Sequence, residues 1–383
     1  MKKIEYFYKY LPESSINWEL IKEEILFPYV DKLNSTMQEL KWHGEGNVLN
    51  HTIMVCEELI KLEEYKNLCK LDKLIVFLSA LVHDIGKITC TKEIAGEITS
   101  YHHGPAGAVM LREYLWKDYG LCGNKFYQEF REAICLLVKY HSVPIHNDEN
   151  LIKTVIKLSL NSKLTKFFKL ELLAVLARAD VLGRIGNEYN LHLENIDFFI
   201  EQAKELNCFN QEFKFNDSYT KYQYLNSDNI WHYQELFNKN YGTVILICGL
   251  PGTGKDTYIR ANYNLPVISL DEIREEFNIS PKDNQSKVYE IAKERAKELL
   301  RNKKEFIWNA TNLTNLIRNK QLNLFHNYNA SVKIIFLETD LETNLCRNKN
   351  REKEVDTNVI YKLLGSINIP EEFEAEEVEW KVV

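Results

Sequence analysis

The chain lacks any apolar run approaching the roughly 20 residues that span a bilayer, so a membrane helix is excluded as an organising feature. Its eight cysteines contain no C-x-x-C pair, and neither a zinc knuckle nor a disulfide framework is expected. The opening residues Met1-Lys2-Lys3-Ile4-Glu5-Tyr6 have no apolar secretory core. Together with the scattered thiols, this predicts a reduced, cytoplasmic protein. Excess positive charge is also missing: 48 Lys and Arg against 55 Asp and Glu leave a net charge of -7, which argues against a broad non-specific nucleic-acid surface. The series Lys153, Lys157, Lys163, Lys166 and Lys169 reads more readily as a solvated helix face than as a phosphate patch. Internal repeats and low-complexity tracts are absent as well.

What remains is a chain of 383 residues, longer than a single hydrophobic core usually serves, so two domains are expected. From Trp18 to Glu205 apolar residues recur at three- and four-residue spacing, as in Ile53, Val55, Cys56, Leu59 and Ile60. That spacing predicts a nearly all-helical domain over 1–205. A polar, aromatic stretch without clear period, 206–240, reads as a connecting segment. Beyond it, short apolar runs at Val244–Cys248, Val267–Leu270, Phe306–Trp308 and Val332–Leu337 alternate with helical stretches. This is the pattern of a parallel sheet with crossover helices, an α/β domain over 241–383, and Phe373–Val383 reads as a short edge strand.

The first of those runs leads into Gly249-Leu250-Pro251-Gly252-Thr253-Gly254-Lys255-Asp256. Glycines let successive backbone N–H groups converge on an anion, the following helix adds a favourable dipole, and Lys255 places a cation on the terminal phosphates. The residues Gly249, Gly252, Thr253, Gly254, Lys255, Asp256 and Thr257 are therefore the expected nucleotide-binding set, taking ATP or GTP with magnesium. A plain glycine-rich turn is the alternative. The position after the lysine, usually Ser or Thr, is Asp256, with Thr257 next; which of them serves the metal stays open. Asp271 and Arg274 follow the second run. A kinase acting on an alcohol needs a base, which Asp271 suits, and Arg274 one helical turn on can clamp an anion of the acceptor. A helix cap and a surface arginine explain the pair more blandly. Arg347 and Arg351 are one turn apart and fit a lid over donor phosphates, or a solvated basic helix.

The order of P-loop, D-x-x-R, Asn309-Ala310-Thr311-Asn312 and paired arginines resembles the 5′-hydroxyl polynucleotide kinases of nucleic-acid repair over most of 241–383. That resemblance implies that Asp271 activates the 5′-hydroxyl, that Arg274 binds the 3′-phosphate of the terminal nucleotide, and that Arg347 and Arg351 contact the donor.

In the amino-terminal half His and Asp gather in Trp42-His43-Gly44-Glu45-Gly46, His51-Thr52, His83-Asp84, Tyr101-His102-His103, Tyr140-His141-Ser142 and the segment around Asp180. Single histidines are usually structural, but an adjacent His83-Asp84 pair inside an apolar helix buries a carboxylate at a cost that a metal would offset. The series resembles the HD phosphohydrolase superfamily, whose core H…HD…D is matched by His51, His83, Asp84 and Asp180. It is most similar to HD domains that act on 2′,3′-cyclic phosphates and 2′-phosphates, over roughly 40–190. The resemblance implies that His103 and His141 hold a second metal bridged by Asp84, that Lys87 stabilises phosphate charge, and that His43 lines the phosphate pocket. By chemistry His102 is an equal candidate to His103. Gly104 stands where relatives usually have Glu. Mixed His and carboxylate ligands suit one or two ions of manganese, nickel, cobalt or iron, and a pair about 3.5 to 4 Å apart activates a bridging water.

The two halves together resemble the HD-domain polynucleotide kinase family of bacteria, which heals RNA or DNA ends bearing a 2′,3′-cyclic phosphate and a 5′-hydroxyl. No nucleotidyl-lysine motif of a ligase is evident, so sealing falls to a separate partner. Two other readings stand beside it. One is a nucleotide or small-metabolite phosphohydrolase fused to a small-molecule kinase; the other is a regulatory protein with a degenerate HD half and a nucleotide-sensing P-loop.

Overall fold

Helix Leu170–Leu182 leaves only a narrow half-buried stripe at Glu171, Arg178 and Leu182, and Leu172, Leu173, Val175, Leu176 and Ala177 are all buried. A helix with so little polar surface is covered by other helices on most of its circumference. It packs against helices Val48–Leu59, Lys70–Val82 and Tyr189–Glu205. In this computed structural model, residues 2–26, 28–146, 149–186, 189–351 and 353–383 are described. They divide into two compact units, Met1–Leu121 with Phe126–Phe213, and Cys122–Lys125 with Lys214–Val383.

The first unit is helical around that central helix, with one exception to the periodicity. Lys92–Ile94 (β1) and Glu97–Thr99 (β2) form an antiparallel hairpin whose turn places Ala95 and Gly96 at φ 56° and 85°. No residue of either strand is buried, so the hairpin carries no apolar alternation to reveal it. The His83-Asp84 pair also departs from expectation. The helix ends at Val82, and the two residues lie in the turn before the short helix Lys87–Cys90. Gly86 in that turn has ordinary φ, yet an added Cβ would lie 2.0 Å from the His103 carbonyl oxygen. The turn therefore touches the start of helix His103–Lys117. Gly104 makes the reciprocal approach: its Cβ would lie 2.6 Å from the Lys139 carbonyl, at the end of helix Lys125–Tyr140.

The 206–240 stretch is not wholly connecting chain. It holds helix Ser218–Leu225, capped by Asp217, whose Oδ1 accepts from the Thr220 N–H at 2.7 Å.

The second unit is built on Thr243–Cys248 (β3), Val267–Ser269 (β4), Phe306–Asn309 (β5), Ser331–Glu338 (β6) and Glu377–Val382 (β7). They form one parallel sheet in the order β4-β5-β3-β6-β7, with β7 at an edge. Central β3 is buried from Val244 to Cys248, as expected of a parallel strand covered on both faces. In β7, Val378 and Trp380 turn inward while Glu377 and Lys381 are exposed, a period of two. Register aligns Ile247 of β3 with Asn309 of β5, and Asn309 with Ser269 of β4. The P-loop, Asp271 and Asn309 thus leave the sheet at one carboxyl edge, where ligands of such folds collect.

Candidate functional site: a His/Asp centre and a phosphate loop

Four histidines and two aspartates of the first unit converge. His51 comes from helix Val48–Leu59, Asp180 from the central helix, His83 and Asp84 from the turn after Val82, His103 from the first residue of its helix, and His141 from just past Tyr140. All six side chains except that of His103 are almost fully buried. His83, His103 and His141 each aim Nδ1 at a backbone carbonyl 2.8 Å away, on Ala80, Ser100 and Val138. A carbonyl only accepts, so each Nδ1 carries the proton and each Nε2 offers a lone pair.

Those lone pairs meet acceptors. His103 Nε2 and His141 Nε2 are 3.2 Å apart, and Asp84 Oδ1 lies 3.2 and 3.8 Å from them. On the other side of the same carboxylate, Oδ2 lies 3.6 Å from His51 Nε2 and 3.4 Å from His83 Nε2, and Asp180 Oδ1 is 3.0 and 4.0 Å from those nitrogens. His83 Nε2 has no hydrogen-bond partner although it is buried. Two clusters, His51-His83-Asp180 and Asp84-His103-His141, each bring their ligand atoms within 4.8 Å of one another. The Nε2 lone pairs of His83, His103 and His141 converge on the Asp84 and Asp180 carboxylates, and such a mixed imidazole and carboxylate set fits a divalent cation, with Asp84 facing both clusters.

Neighbours set the charge. Burial opposes ionisation of Asp84, but Lys87 and His83 outweigh it and hold its carboxyl well below the usual range; Arg184 and His51 do the same for Asp180. Arg184 grips Asp180 with Nε at 3.0 Å and Nη2 at 2.5 Å. Burial disfavours the charged His51 ring, yet hydrogen bonds to Asp180 and Glu45 raise its pKa. Both its nitrogens face acceptors, Asp180 at 3.0 Å and Glu45 at 2.9 Å. Burial, with His103 and His83 alongside, lowers His141 to about 3, and burial lowers His43 to about 4 despite its bond to Glu45 at 2.8 Å. Lys87 is buried and spans Gln38 at 2.6 Å and Asp84 Oδ2 at 2.7 Å. His102 is exposed at the start of its helix with φ 61°, so His103, not its neighbour, enters the cluster. A cleft of about 590 Å³ opens onto the centre, lined by Gln38, Trp42, His43, Lys87, Tyr101 and Arg184 among others. Sequence reasoning gave no role to Gln38, whose partner Lys87 is 49 residues away, and took in Glu45 and Arg184 only as parts of the Trp42–Gly46 motif and of the segment around Asp180.

In the second unit the P-loop runs from β3 into helix Lys255–Asn262, with Gly252 and Gly254 at φ 84° and 88°. Lys255 Nζ folds onto the Gly249 and Leu250 carbonyls at 3.1 and 2.9 Å. Burial lowers its pKa to about 8, with Asp271 and Asp256 opposing. Thr253 Oγ1 donates to the Leu250 carbonyl at 2.9 Å. Asp256, the second helical residue, accepts from Asn309 Nδ2 at 2.7 Å, and both it and Thr257 are exposed. Asp271 Oδ1 meets Arg274 Nη1 at 2.5 Å, and its Oδ2 meets Arg351 Nη2 at 3.5 Å. Arg347 Nη1 donates to the Thr253 carbonyl at 3.3 Å. Lys255, Asp271, Arg274, Arg347 and Arg351 are thereby gathered at the loop. Asn344, buried, also ties the loop down by donating to the Pro251 carbonyl at 2.9 Å. In the lysine series of the first unit, Lys157, Lys163 and Lys166 are exposed and Lys169 pairs with Asp72 at 2.6 Å.

No helix of the described residues is long and apolar enough to cross a membrane. Comparison with known proteins assigns both halves. The HD domain family matches residues 48–184, and the AAA_33 family, described as an AAA domain, matches residues 244–368. The multifunctional CCA protein of Shewanella frigidimarina (strain NCIMB 400) is 32% identical over 167 residues, 43% of this chain and 36% of that protein. That of Pasteurella multocida (strain Pm70) is 29% identical over 186 residues, 46% of this chain and 41% of that protein. The chain therefore spans well under half the length of these two relatives. A gluconokinase from Sinorhizobium meliloti 1021 is similar at 14% identity and TM-score 0.29, covering 38% of this chain and 85% of that one. Metal-type ligands on helices and a glycine loop on a parallel sheet thus belong to two distinct enzyme domains, and the chain is a fusion of an HD domain with a P-loop kinase-like domain of the AAA_33 kind.

Proposed function

We propose that the protein heals broken nucleic-acid ends, as a 5′-hydroxyl polynucleotide kinase with an NTP donor and a metal-dependent 2′,3′-cyclic phosphodiesterase and 2′-phosphatase. The observation that carries the kinase half is the Asp271-Arg274 pair beside Lys255. Asp271 takes the proton of the attacking hydroxyl, and Arg274, one turn away, holds the phosphate that follows the terminal sugar. Lys255, Arg347 and Arg351 neutralise charge on the donor as the phosphoryl group moves. A neutral small alcohol has no such second anion, and the D-x-x-R spacing favours a polynucleotide acceptor over it on that ground.

In the HD half, bound metal supplies Lewis acidity and an activated water. His51, His83, Asp84 and Asp180 hold one ion, and Asp84, His103 and His141 a second. Lys87 stabilises charge on a phosphate oxygen at the cleft, and His43, kept neutral by burial and oriented by Glu45, lines the same pocket. RNA or DNA ends are the substrates, and a separate ligase completes the repair.

The test is transfer of labelled γ-phosphate from ATP or GTP to a 5′-hydroxyl oligonucleotide, run beside release of phosphate from a 2′-phosphate end. Transfer to a small alcohol but to no oligonucleotide would overturn the reading.

A further inference from the structure

In P-loop enzymes generally, the nucleotide's magnesium is held by the Ser or Thr after the loop lysine and by an acidic residue at the end of a neighbouring strand. Neither residue type stands in its place here. The loop position is Asp256, and the last residue of β5, the strand hydrogen-bonded beside β3, is Asn309. The two side chains touch, Asn309 Nδ2 donating to Asp256 Oδ1 at 2.7 Å. Asn309 is only 6% exposed, and its Oδ1 has no hydrogen-bond partner.

We propose that the two positions have exchanged chemistry: Asp256 supplies from the helix the carboxylate for the nucleotide-bound divalent cation, and Asn309 supplies from the strand the neutral oxygen. The total charge of the pair is the same as in the usual arrangement, one carboxylate and one neutral oxygen donor. Only its location differs. The helix start tolerates the move, because a carboxylate in the first turn meets the positive end of the helix dipole. The orphaned Asn309 oxygen gains a role, either on the cation or on one of its waters, that offsets the cost of burying it unpaired. Thr257 does not compete. It lies about 100° around the helix from Asp256, and with both residues exposed it is the contact of Asp256 with Asn309 at 2.7 Å that distinguishes them.

The inference rests on the P-loop reading of the second unit and not on the nature of the acceptor. Its test accordingly uses no acceptor. Affinity for ATP and for GTP is measured on the full chain as magnesium is varied, for the unaltered protein, Asp256→Ser, Asn309→Asp and the double swap. Magnesium should tighten nucleotide binding in the unaltered protein, Asp256→Ser should lose about tenfold or more of that enhancement, and the double swap should recover most of it. Unchanged magnesium enhancement in Asp256→Ser overturns the proposal, as does a double swap that melts normally yet recovers nothing. Should the double swap fail to fold, Asp256→Cys decides instead. Binding enhanced by cadmium and not by magnesium supports direct ligation, and equal loss with both metals refutes it. Failure of 5′-hydroxyl transfer, by contrast, would leave these binding results untouched.

Discussion

Asp84 Oδ1 lies 3.2 Å from His103 Nε2, while the other oxygen of the same carboxylate faces His51 and His83. One side chain therefore belongs to both halves of the His/Asp centre. Asp84→Ala is expected to remove both metals and to lower phosphoesterase activity by more than the 10- to 100-fold that outer residues typically cost. Metal content and phosphate release are the measurements, and phosphoryl transfer by the second unit serves as the control for folding.

His103 and His102 give a sharper comparison. His103→Ala should lower metal content by one ion per chain while leaving the His51-His83-Asp180 cluster loaded. His102→Ala, altering an exposed side chain, should leave stoichiometry unchanged. Equal loss in the two variants would remove His103 from the centre.

Gly86 connects the fold to that centre. A methyl group there would lie 2.0 Å from the His103 carbonyl oxygen, and backbone cannot yield as a flexible side chain can. Gly86→Ala should destabilise the first unit by about 1–3 kcal/mol and weaken metal binding as His103 moves from Asp84. Thermal melting with a metal titration checks both. Gly86→Ala with unaltered metal affinity would show that the contact is structural alone.

Much of this was legible in the residue order where neighbours in sequence act together. His83-Asp84 is an adjacent pair, Lys87 lies one turn on, and the P-loop is continuous, so each announces itself. The Asp256-Asn309 contact joins residues 53 apart, and only the register of β5 on β3 brings them together. Gln38 reaches Lys87 across 49 residues and Glu45 reaches His51 from a loop, polar contacts that no hydrophobic period encodes. Helix Ser218–Leu225 was missed for a different reason. Its apolar surface is largely tyrosine, so its amphipathicity is weak, and the Asp217 cap was the remaining signal.

Arg112, Arg131 and Glu132 form a fully buried ionic group distinct from the His/Asp centre, with Glu132 2.9 and 2.8 Å from Arg112 Nε and Arg131 Nε. Burial opposes the Glu132 charge, but Arg112 and Arg131 outweigh it and its pKa falls below the usual 4.5. A lowered carboxyl pKa contributes stability above the unfolded value and loses it as pH falls through the folded one. Glu132→Gln should therefore cost about 3–5 kcal/mol near neutrality, and the gap from the unaltered protein should close only below pH 4.5. Denaturant melts at pH 7 and at acid pH test it; a gap already closed at pH 5 would contradict the assignment.

Asp271 separates a catalytic from a binding role in the second unit. Its carboxylate is shared between Arg274 and Arg351, so removing it disturbs two cations, whereas removing Arg274 leaves Arg351 on the other oxygen. If Asp271 is the base, Asp271→Asn keeps the shape and still lowers kcat by about 10²- to 10⁴-fold, with phosphate release by the first unit intact. If Arg274 binds an acceptor phosphate, Arg274→Ala raises KM for an oligonucleotide by about tenfold or more, the worth of one charged hydrogen bond. It should do so far less for an acceptor lacking that phosphate. A kcat loss in Arg274→Ala with unchanged KM would instead make the arginine a positioning partner of Asp271, and the polynucleotide reading would lose its main physical support.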